Sequence, residues 1–161
     1  MLITSKAIVL NAIKFGDFDL IVKCYTEQGL RSYLIKRIFK TTKGKLSPAF
    51  FQPLTQLEIT GNYNNNRTLH FIKEAKISVP YTTIHNNVIK QTVMVFLSEV
   101  LSHALKEEEE NQPLFSYMET AFLWLDSHKN TPNFHLVFLI NLTKYLGFYP
   151  EKGEQFLYFD L

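Results

Sequence analysis

The feature that most constrains the fold of this chain is a change of hydrophobic period near Pro80. Before Pro80, apolar and polar residues alternate over short runs separated by turn residues, a pattern typical of strands. After it, apolar residues recur about every 3.6 positions, as in amphipathic helices. Strands followed by helices predict an α+β protein, and we place the boundary between residues 1–79 and 80–161.

Five runs in the first part have the pattern of strands. They are Ile3 to Ile13, Leu20 to Thr26, Leu30 to Arg37, Phe50 to Tyr63 and Thr68 to Ile77. Gln28-Gly29 and Asn64-Asn65-Asn66 indicate tight turns between consecutive runs. Five short strands at regular spacing predict a small closed barrel, because closure leaves no exposed strand edge.

At least three helices are predicted in the second part, and each has an apolar stripe. The first covers Thr83 to about Lys106, with the stripe Ile89, Val93, Phe96, Val100 and Ala104. The second begins at Asn111-Gln112-Pro113, with the stripe Leu114, Met118, Phe122 and Leu125. The third begins at Thr131-Pro132, runs through Leu136, Ile140 and Tyr145, and ends at Gly147.

Charge is distributed unevenly between the two parts. Residues 1–80 hold 12 lysines and arginines against 5 acidic residues, a formal charge of +7. Residues 81–161 hold 5 against 10, a formal charge of −5. The basic barrel is therefore expected to face phosphates, whereas the acidic helical part is a poor surface for nucleic acid.

No constellation typical of an enzyme is visible in the sequence. The glycines are scattered singly, so no phosphate-binding glycine loop is formed, and the histidines do not follow a metal-ligand spacing. Cys24 alternates with Leu20 and Val22 and is predicted to be a core residue. We therefore expect no catalytic site, cofactor or metal. The absence of a secretory signal or a long apolar segment predicts a cytoplasmic protein that does not enter a membrane.

The barrel contains the two ingredients of a single-strand binding surface, namely cations and aromatic rings. The candidate residues are Arg31, Tyr33, Lys36, Arg37, Phe39, Lys40, Lys43, Lys45 and Arg67. Alternation places Arg31, Tyr33 and Arg37 on one face of the third strand. Tyr33 and Phe39 could stack on bases or pack in the core, and the residues alone leave both readings open.

Several segments of the chain resemble one known family in order and spacing. They are Ala7 to Leu10, Phe15-Gly16-Asp17, Asp19 to Val22, Tyr25-Thr26-Glu27, Gly29-Leu30, Lys45 to Leu54, Lys73-Glu74-Ala75 and Leu146-Gly147-Phe148-Tyr149-Pro150. The family is RecO, the bacterial recombination mediators and DNA repair proteins, and its Bacteroidetes branch is the most similar. The resemblance covers essentially the whole chain.

The resemblance implies an OB-fold joined to a helical domain, and a protein that binds single- and double-stranded DNA. It also implies annealing of complementary strands and help in loading RecA recombinase, at the nucleoid. The implied partners are DNA, preferably single-stranded, RecR, and the carboxy-terminal tail of single-stranded-DNA-binding protein.

Three departures from the family pattern bear on these expectations. Many relatives carry a zinc-binding cysteine cluster after the third helix, but no cysteine follows Cys24 here, so zinc is not expected. The family is usually longer, so we expect the helical domain to be incomplete. Relatives often have glycine where this chain has Arg37.

The helical part has more apolar residues than one stripe per helix, which predicts a groove for a partner peptide. The candidate residues are Lys90, Leu97, Leu101, Phe122 and Lys144. The alternative is that the apolar residues cover the barrel and further helices. Two rival functions also stay open, an RNA-binding barrel protein and an interaction adaptor that does not bind nucleic acid.

Overall fold

The computed structural model of the chain describes residues 1–40, 45–64, 66–106 and 110–149. Lys43, Asn65 and Pro150, which figure in the predictions above, lie outside these residues.

Five strands form a closed barrel. They are β1 (Leu2–Phe15), β2 (Asp19–Thr26), β3 (Gly29–Ile35), β4 (Gln56–Asn62) and β5 (Leu69–Val79). The strands are joined in the order β1-β2-β3-β5-β4, and β4 pairs with β1 to complete the ring. Pairing is antiparallel except between β3 and β5, which are parallel. The predicted OB-type barrel followed by helices is confirmed.

Alternating residues of the strands fill the barrel interior. On β2, Leu20, Val22 and Cys24 point inward, while Lys23 lies on the outer face and donates to a helix carbonyl. Cys24 has no exposed surface, and burial raises the pKa of its thiol. Cys24 is therefore a core residue, as predicted.

Three α-helices follow within the described ranges, namely α1 (Val88–Ala104), α2 (Gln112–Ser127) and α3 (Phe134–Leu146). The side chains of Asn87 and Asn111 accept backbone N–H bonds in the first turns of α1 and α2. Gly147 ends α3 in the left-handed conformation with φ of 84°, as the sequence indicates.

The buried face of α1 differs from the predicted stripe by one position. Ile89 is 73% exposed and Phe96 45%, whereas the buried residues are Lys90, Met94, Leu97, Ser98 and Leu101. The predicted stripe was wrong because α1 is apolar on several sides, so periodicity alone leaves more than one candidate core face.

The predicted stripe of α2 is confirmed, and that of α3 is not. Leu114, Met118, Phe122 and Leu125 are all buried. On α3, Leu136 and Ile140 are about half exposed, and the buried residues are Phe138 and Leu142.

Two compact units are present, Met1–Thr131 and Pro132–Leu161. The first contains the barrel, α1 and α2, and the second contains α3. In the first unit, Lys23 Nζ donates to the Ser102 carbonyl of α1 at 2.7 Å. Gln56 Nε2 donates to the Glu119 carbonyl of α2 at 3.2 Å. The predicted domain boundary between residues 79 and 80 stays a prediction.

Asp126 on α2 binds the segment that leaves the barrel. Its carboxylate accepts the backbone N–H groups of Thr82, Thr83 and Ile84 at 2.9 to 3.1 Å. Burial by itself would raise the pKa of Asp126, but these N–H groups hold that pKa below its ordinary value. The ionised carboxylate therefore holds the segment between β5 and α1 against α2.

Candidate nucleic-acid interface

A cluster of cations and aromatic rings lies where the β1–β2 turn meets the segment after β3. We define the tip cluster as Lys14, Phe18, Phe39 and Lys40. The Lys14 ammonium lies 5.5 Å from the centre of the Phe39 ring, and Lys40 lies 5.4 Å from the centre of Phe18. Two lysines and two phenyl rings from separate segments thus form one surface patch.

The backbone holds the two segments of the tip cluster together. Phe39 N–H donates to the Phe18 carbonyl at 3.1 Å, and Arg37 N–H donates to Asp19 Oδ1 at 2.8 Å. Between them Ile38 is buried in the barrel core. Arg37 has φ of 59°, a left-handed conformation that glycine adopts more readily than other residues. Residues 37–39 are therefore held against the β1–β2 turn and the start of β2.

The rings at this end of the barrel are not used for core packing. Phe15 is 54% exposed, and Phe18 and Phe39 are each 44% exposed. Exposed phenyl rings in one patch with lysines provide stacking surfaces for bases next to charges for phosphates. Of the two readings that the sequence leaves open for Phe39, the structure favours the surface one.

A third pair extends the basic surface onto β5. The Lys36 ammonium lies 5.2 Å from the centre of the Phe71 ring, and Phe71 is partly exposed. Lys36 directly follows the end of β3, and Leu34 of β3 pairs with Phe71 of β5. Cation–aromatic pairs thus occur from the β1–β2 turn to the parallel β3–β5 pair.

Lys45 lies outside these pairs. Its ammonium is 3.3 Å from Glu74 Oε1, and both side chains are mostly exposed. An exposed ion pair of this kind contributes little to stability, so Lys45 can exchange Glu74 for a phosphate.

The third strand presents its predicted binding face to the barrel interior. Tyr33 is buried, and burial raises the pKa of its phenol. Arg31 is half-buried, and its guanidinium lies 5.0 Å from the centre of the Tyr63 ring. Alternation correctly placed Arg31 and Tyr33 on one face, but that face is the core side. Tyr33 is therefore a packing residue of the barrel core, and no stacking on bases is proposed for it.

Arg67 lies in the turn between β4 and β5 and lines an open groove of about 600 Å³. The same groove is lined by Asn62, Tyr63 and Phe71. Phe71 therefore belongs both to the pair with Lys36 and to the groove. The side chain of Arg67 is exposed.

The predicted peptide groove does not form on the side chains named for it. Leu97, Leu101 and Phe122 have no exposed surface, because they pack in the core of the first unit. Lys90 is also buried, and its ammonium donates to Thr83 Oγ1 at 2.7 Å and to the Asp126 carbonyl at 3.1 Å. These four residues are structural, so no peptide site is proposed on them.

Lys144 is the remaining member of the predicted peptide site. It belongs to the second unit, where its ammonium lies 4.5 Å from the centre of the Tyr149 ring.

The sequence analysis missed four surface residues of the barrel, namely Lys14, Phe15, Phe18 and Phe71. A signal for two of them was present, because Phe15 and Phe18 flank the turn residues Gly16 and Asp17. Aromatic rings beside a hairpin tip cannot easily reach a core, so their position favours a surface role.

No helix within the described ranges is long and apolar enough to span a membrane. The same ranges contain no group of three or more His, Cys, Asp or Glu side chains arranged to hold a metal ion.

Two family models match the chain. The model described as "Recombination protein O N terminal" matches residues 1–81, and "Recombination protein O C terminal" matches residues 85–152. The first match contains the barrel and the cation–aromatic pairs of Lys14, Lys36 and Lys40, and the second contains α1, α2 and α3.

Curated relatives include proteins named DNA repair protein RecO. That of Flavobacterium johnsoniae is 47% identical over 163 residues, which cover 100% of this chain and 69% of the relative. That of Christiangramia forsetii is 49% identical over 154 residues, covering 95% and 64%. That of Bacteroides fragilis is 39% identical over 164 residues, covering 100% and 68%. The chain thus spans about two thirds of the length of these relatives.

Proposed function

This chain belongs to the RecO family of DNA repair proteins, and from that premise we propose that it binds single-stranded DNA through its cation–aromatic surface. The surface consists of the tip cluster together with Phe15, Lys36 and Phe71. The proposal rests on the family and on one observation, the exposed phenyl rings that each lie beneath a lysine ammonium.

Because each ring is paired with a lysine, a DNA base can replace the lysine ammonium on the ring face when the strand binds. An unstacked base can occupy the ring face, with a stacking contribution of about 1–3 kcal/mol per base. The displaced ammonium can then contact the phosphate that joins that base to the next. Duplex DNA offers phosphates but keeps its bases stacked, so we propose that single strands bind more tightly.

We propose the more specific activities of the family for this chain only because the chain belongs to that family. They are binding of double-stranded DNA, annealing of complementary strands, help in loading RecA, and interaction with RecR and with the tail of single-stranded-DNA-binding protein. They would proceed without nucleotide hydrolysis, in the cytoplasm at the nucleoid. The sequence has neither a phosphate-binding glycine loop nor histidines at metal-ligand spacing, which supports a role in binding.

A double substitution tests the surface directly. Phe18→Ala with Phe39→Ala should weaken binding to a labelled single-stranded oligonucleotide by about 1–3 kcal/mol for each stacked base lost. Binding to a duplex of the same length should change much less. Fluorescence anisotropy at fixed salt measures both affinities.

The matched control replaces two exposed phenylalanines outside the barrel, Phe96 and Phe148, by alanine. The control should bind like the unmodified chain. Equal affinity of all three proteins for single strands, with each folded by circular dichroism, would exclude the proposed surface.

The same assay separates the two rivals. A matched oligoribonucleotide that binds more tightly than the DNA would favour an RNA-binding protein, because RNA adds a 2′-hydroxyl. Absence of binding to either strand at low salt would favour an interaction adaptor.

A further inference from the structure

The groove between β4, the following turn and β5 has a different chemistry from the tip cluster. Its lining comprises Met1, Asn62, Tyr63, Asn64, Arg67, Leu69, His70 and Phe71. The volume of about 600 Å³ lies within the range of small-molecule sites in proteins. Amides, aromatic rings and one guanidinium converge there, whereas the tip cluster consists of lysines and phenyl rings alone.

The β4–β5 pairing places an amide directly beside an exposed ring. Asn62 and Phe71 are opposite each other in the register, and both side chains are exposed. Directly opposite residues hold their Cβ atoms about 5 Å apart. The neighbouring Gly61 lies at an irregularity of the pairing, where a Cβ atom would be 2.8 Å from the Phe71 carbonyl oxygen. The two strands can therefore come this close only because residue 61 has no side chain.

Hydrogen bonds with Asn66 and Arg67 orient a second amide, that of Asn64. Asn64 Oδ1 accepts the Asn66 N–H at 3.0 Å, and the Asn64 carbonyl accepts the Arg67 N–H at 3.0 Å. Tyr63 lines the groove. Its ring is held in place because it stacks on the buried His70 ring, with 4.8 Å between ring centres. The groove thus has a fixed wall and an oriented amide.

We propose that this groove binds one unstacked nucleotide of the DNA strand and reads its base. The base of this nucleotide stacks on Phe71, and its edge forms hydrogen bonds with the side-chain amides of Asn62 and Asn64. The phosphate of the nucleotide contacts Arg67. An asparagine amide both donates and accepts, so it pairs with a base edge that offers the complementary pattern. Arg67 can contact the phosphate through two N–H groups. The inference rests on the proposed single-strand binding and adds base preference to it.

Phe71 connects the groove to the rest of the surface. Its ring carries Lys36 and also lines the groove. A strand can therefore run from the tip cluster past Lys36 into the groove. The tip cluster provides affinity that is independent of sequence, and the groove adds discrimination between bases.

The test compares oligo(dA), oligo(dT) and oligo(dC) of equal length at one salt concentration. The unmodified chain should prefer one of the three by about 10-fold, since a pair of hydrogen bonds from an amide to a base edge discriminates against bases with another donor–acceptor pattern. Asn62→Ala with Asn64→Ala should abolish that preference but keep the dependence of affinity on salt. Phe71→Ala should weaken binding of the preferred oligonucleotide, and Phe71→Tyr should restore it.

Gln52→Ala with Gln91→Ala, at two exposed amides outside the groove, is the matched control and should keep the preference. Equal affinity of the unmodified chain for all three oligonucleotides would overturn base reading while leaving single-strand binding intact. Failure to bind any of them would instead overturn the proposed function. A further arm adds 1 mM deoxynucleoside monophosphate of the preferred base, which should not displace the strand. Displacement would show that the groove serves a free nucleotide.

Discussion

Replacing Lys14, Lys36 and Lys40 together by alanine should flatten the dependence of single-strand affinity on salt. Each ammonium lies 5.2 to 5.5 Å from the centre of an exposed phenyl ring, at the distance of a cation–π contact. If each also contacts a phosphate in the complex, each releases a counterion when the strand binds. Loss of the three lysines removes that release.

The expected change can be estimated from the number of contacts. Three contacts at about 0.7 each change the slope of log K against log salt by about 2. If the affinities of the two proteins converge near 1 M salt, the variant binds about 100-fold more weakly at 0.1 M. Each lysine also gives up a cation–π contact of about 0.5–1 kcal/mol. Urea denaturation therefore has to show that the variant is folded under the assay conditions.

The assay is a salt titration monitored by fluorescence anisotropy of a labelled single strand. The matched control replaces Lys6, Lys76 and Lys106 by alanine, which lowers the net charge by the same three units. Lys6 and Lys76 are paired with carboxylates at 3.1 and 2.7 Å, and Lys106 is exposed near the end of α1. The control should keep the slope of the unmodified chain.

Two results would refute the reasoning. If the slope of the variant is unchanged, the three lysines do not contact phosphates. If both triple variants flatten the slope equally, the effect follows from net charge, and the cation–aromatic surface has no special role.

Three further predictions concern stability and are measured by chemical denaturation. Tyr33→Ala should cost about 3–5 kcal/mol because the ring is buried in the barrel; a cost below about 1 kcal/mol would contradict its core role. Gly61→Ala should cost about 1–3 kcal/mol, because the new Cβ must push the Phe71 carbonyl away; no loss would disprove the close approach. Asp126→Asn should cost about 2–3 kcal/mol at neutral pH, since a charged acceptor of the Thr82–Ile84 N–H groups is lost. The pKa of Asp126 is depressed in the folded state, so this stabilisation is present above the unfolded-state pKa near 3.8 and disappears as pH falls through the folded-state value; a cost that does not change with pH would contradict it.

The order of strands and helices could be predicted from the sequence because it depends on local periodicity. Alternation over Leu20 to Thr26 and the turn at Gln28-Gly29 predicted β2 and the start of β3 closely. The period of α2 predicted its buried face, since Leu114, Met118, Phe122 and Leu125 recur at helical spacing and all four are buried. The left-handed end of α3 at Gly147 was equally local.

Periodicity did not determine which face of an element is buried when both faces contain apolar residues. On β3, Leu30 and Leu34 alternate with Tyr33 and Ile35, so either set could have faced the core. On α1 the exposed Ile89 is as hydrophobic as the buried Leu97. Packing against the rest of the protein decided both cases, because burial of one face depends on which surfaces meet in three dimensions.

The sequence predicted which kinds of residue form the candidate surface, but it did not predict all of the residues that belong to it. The basic character of the barrel and the roles proposed for Lys36, Phe39 and Lys40 followed from the sequence, because charge and aromatic content are local properties. Their pairing with Lys14 and Phe18 depends on the antiparallel β2–β3 register, in which Leu20 lies opposite Ile35, so that the β1–β2 turn meets the segment after β3. Contacts between residues some twenty positions apart depend on chain topology, and no local pattern encodes them.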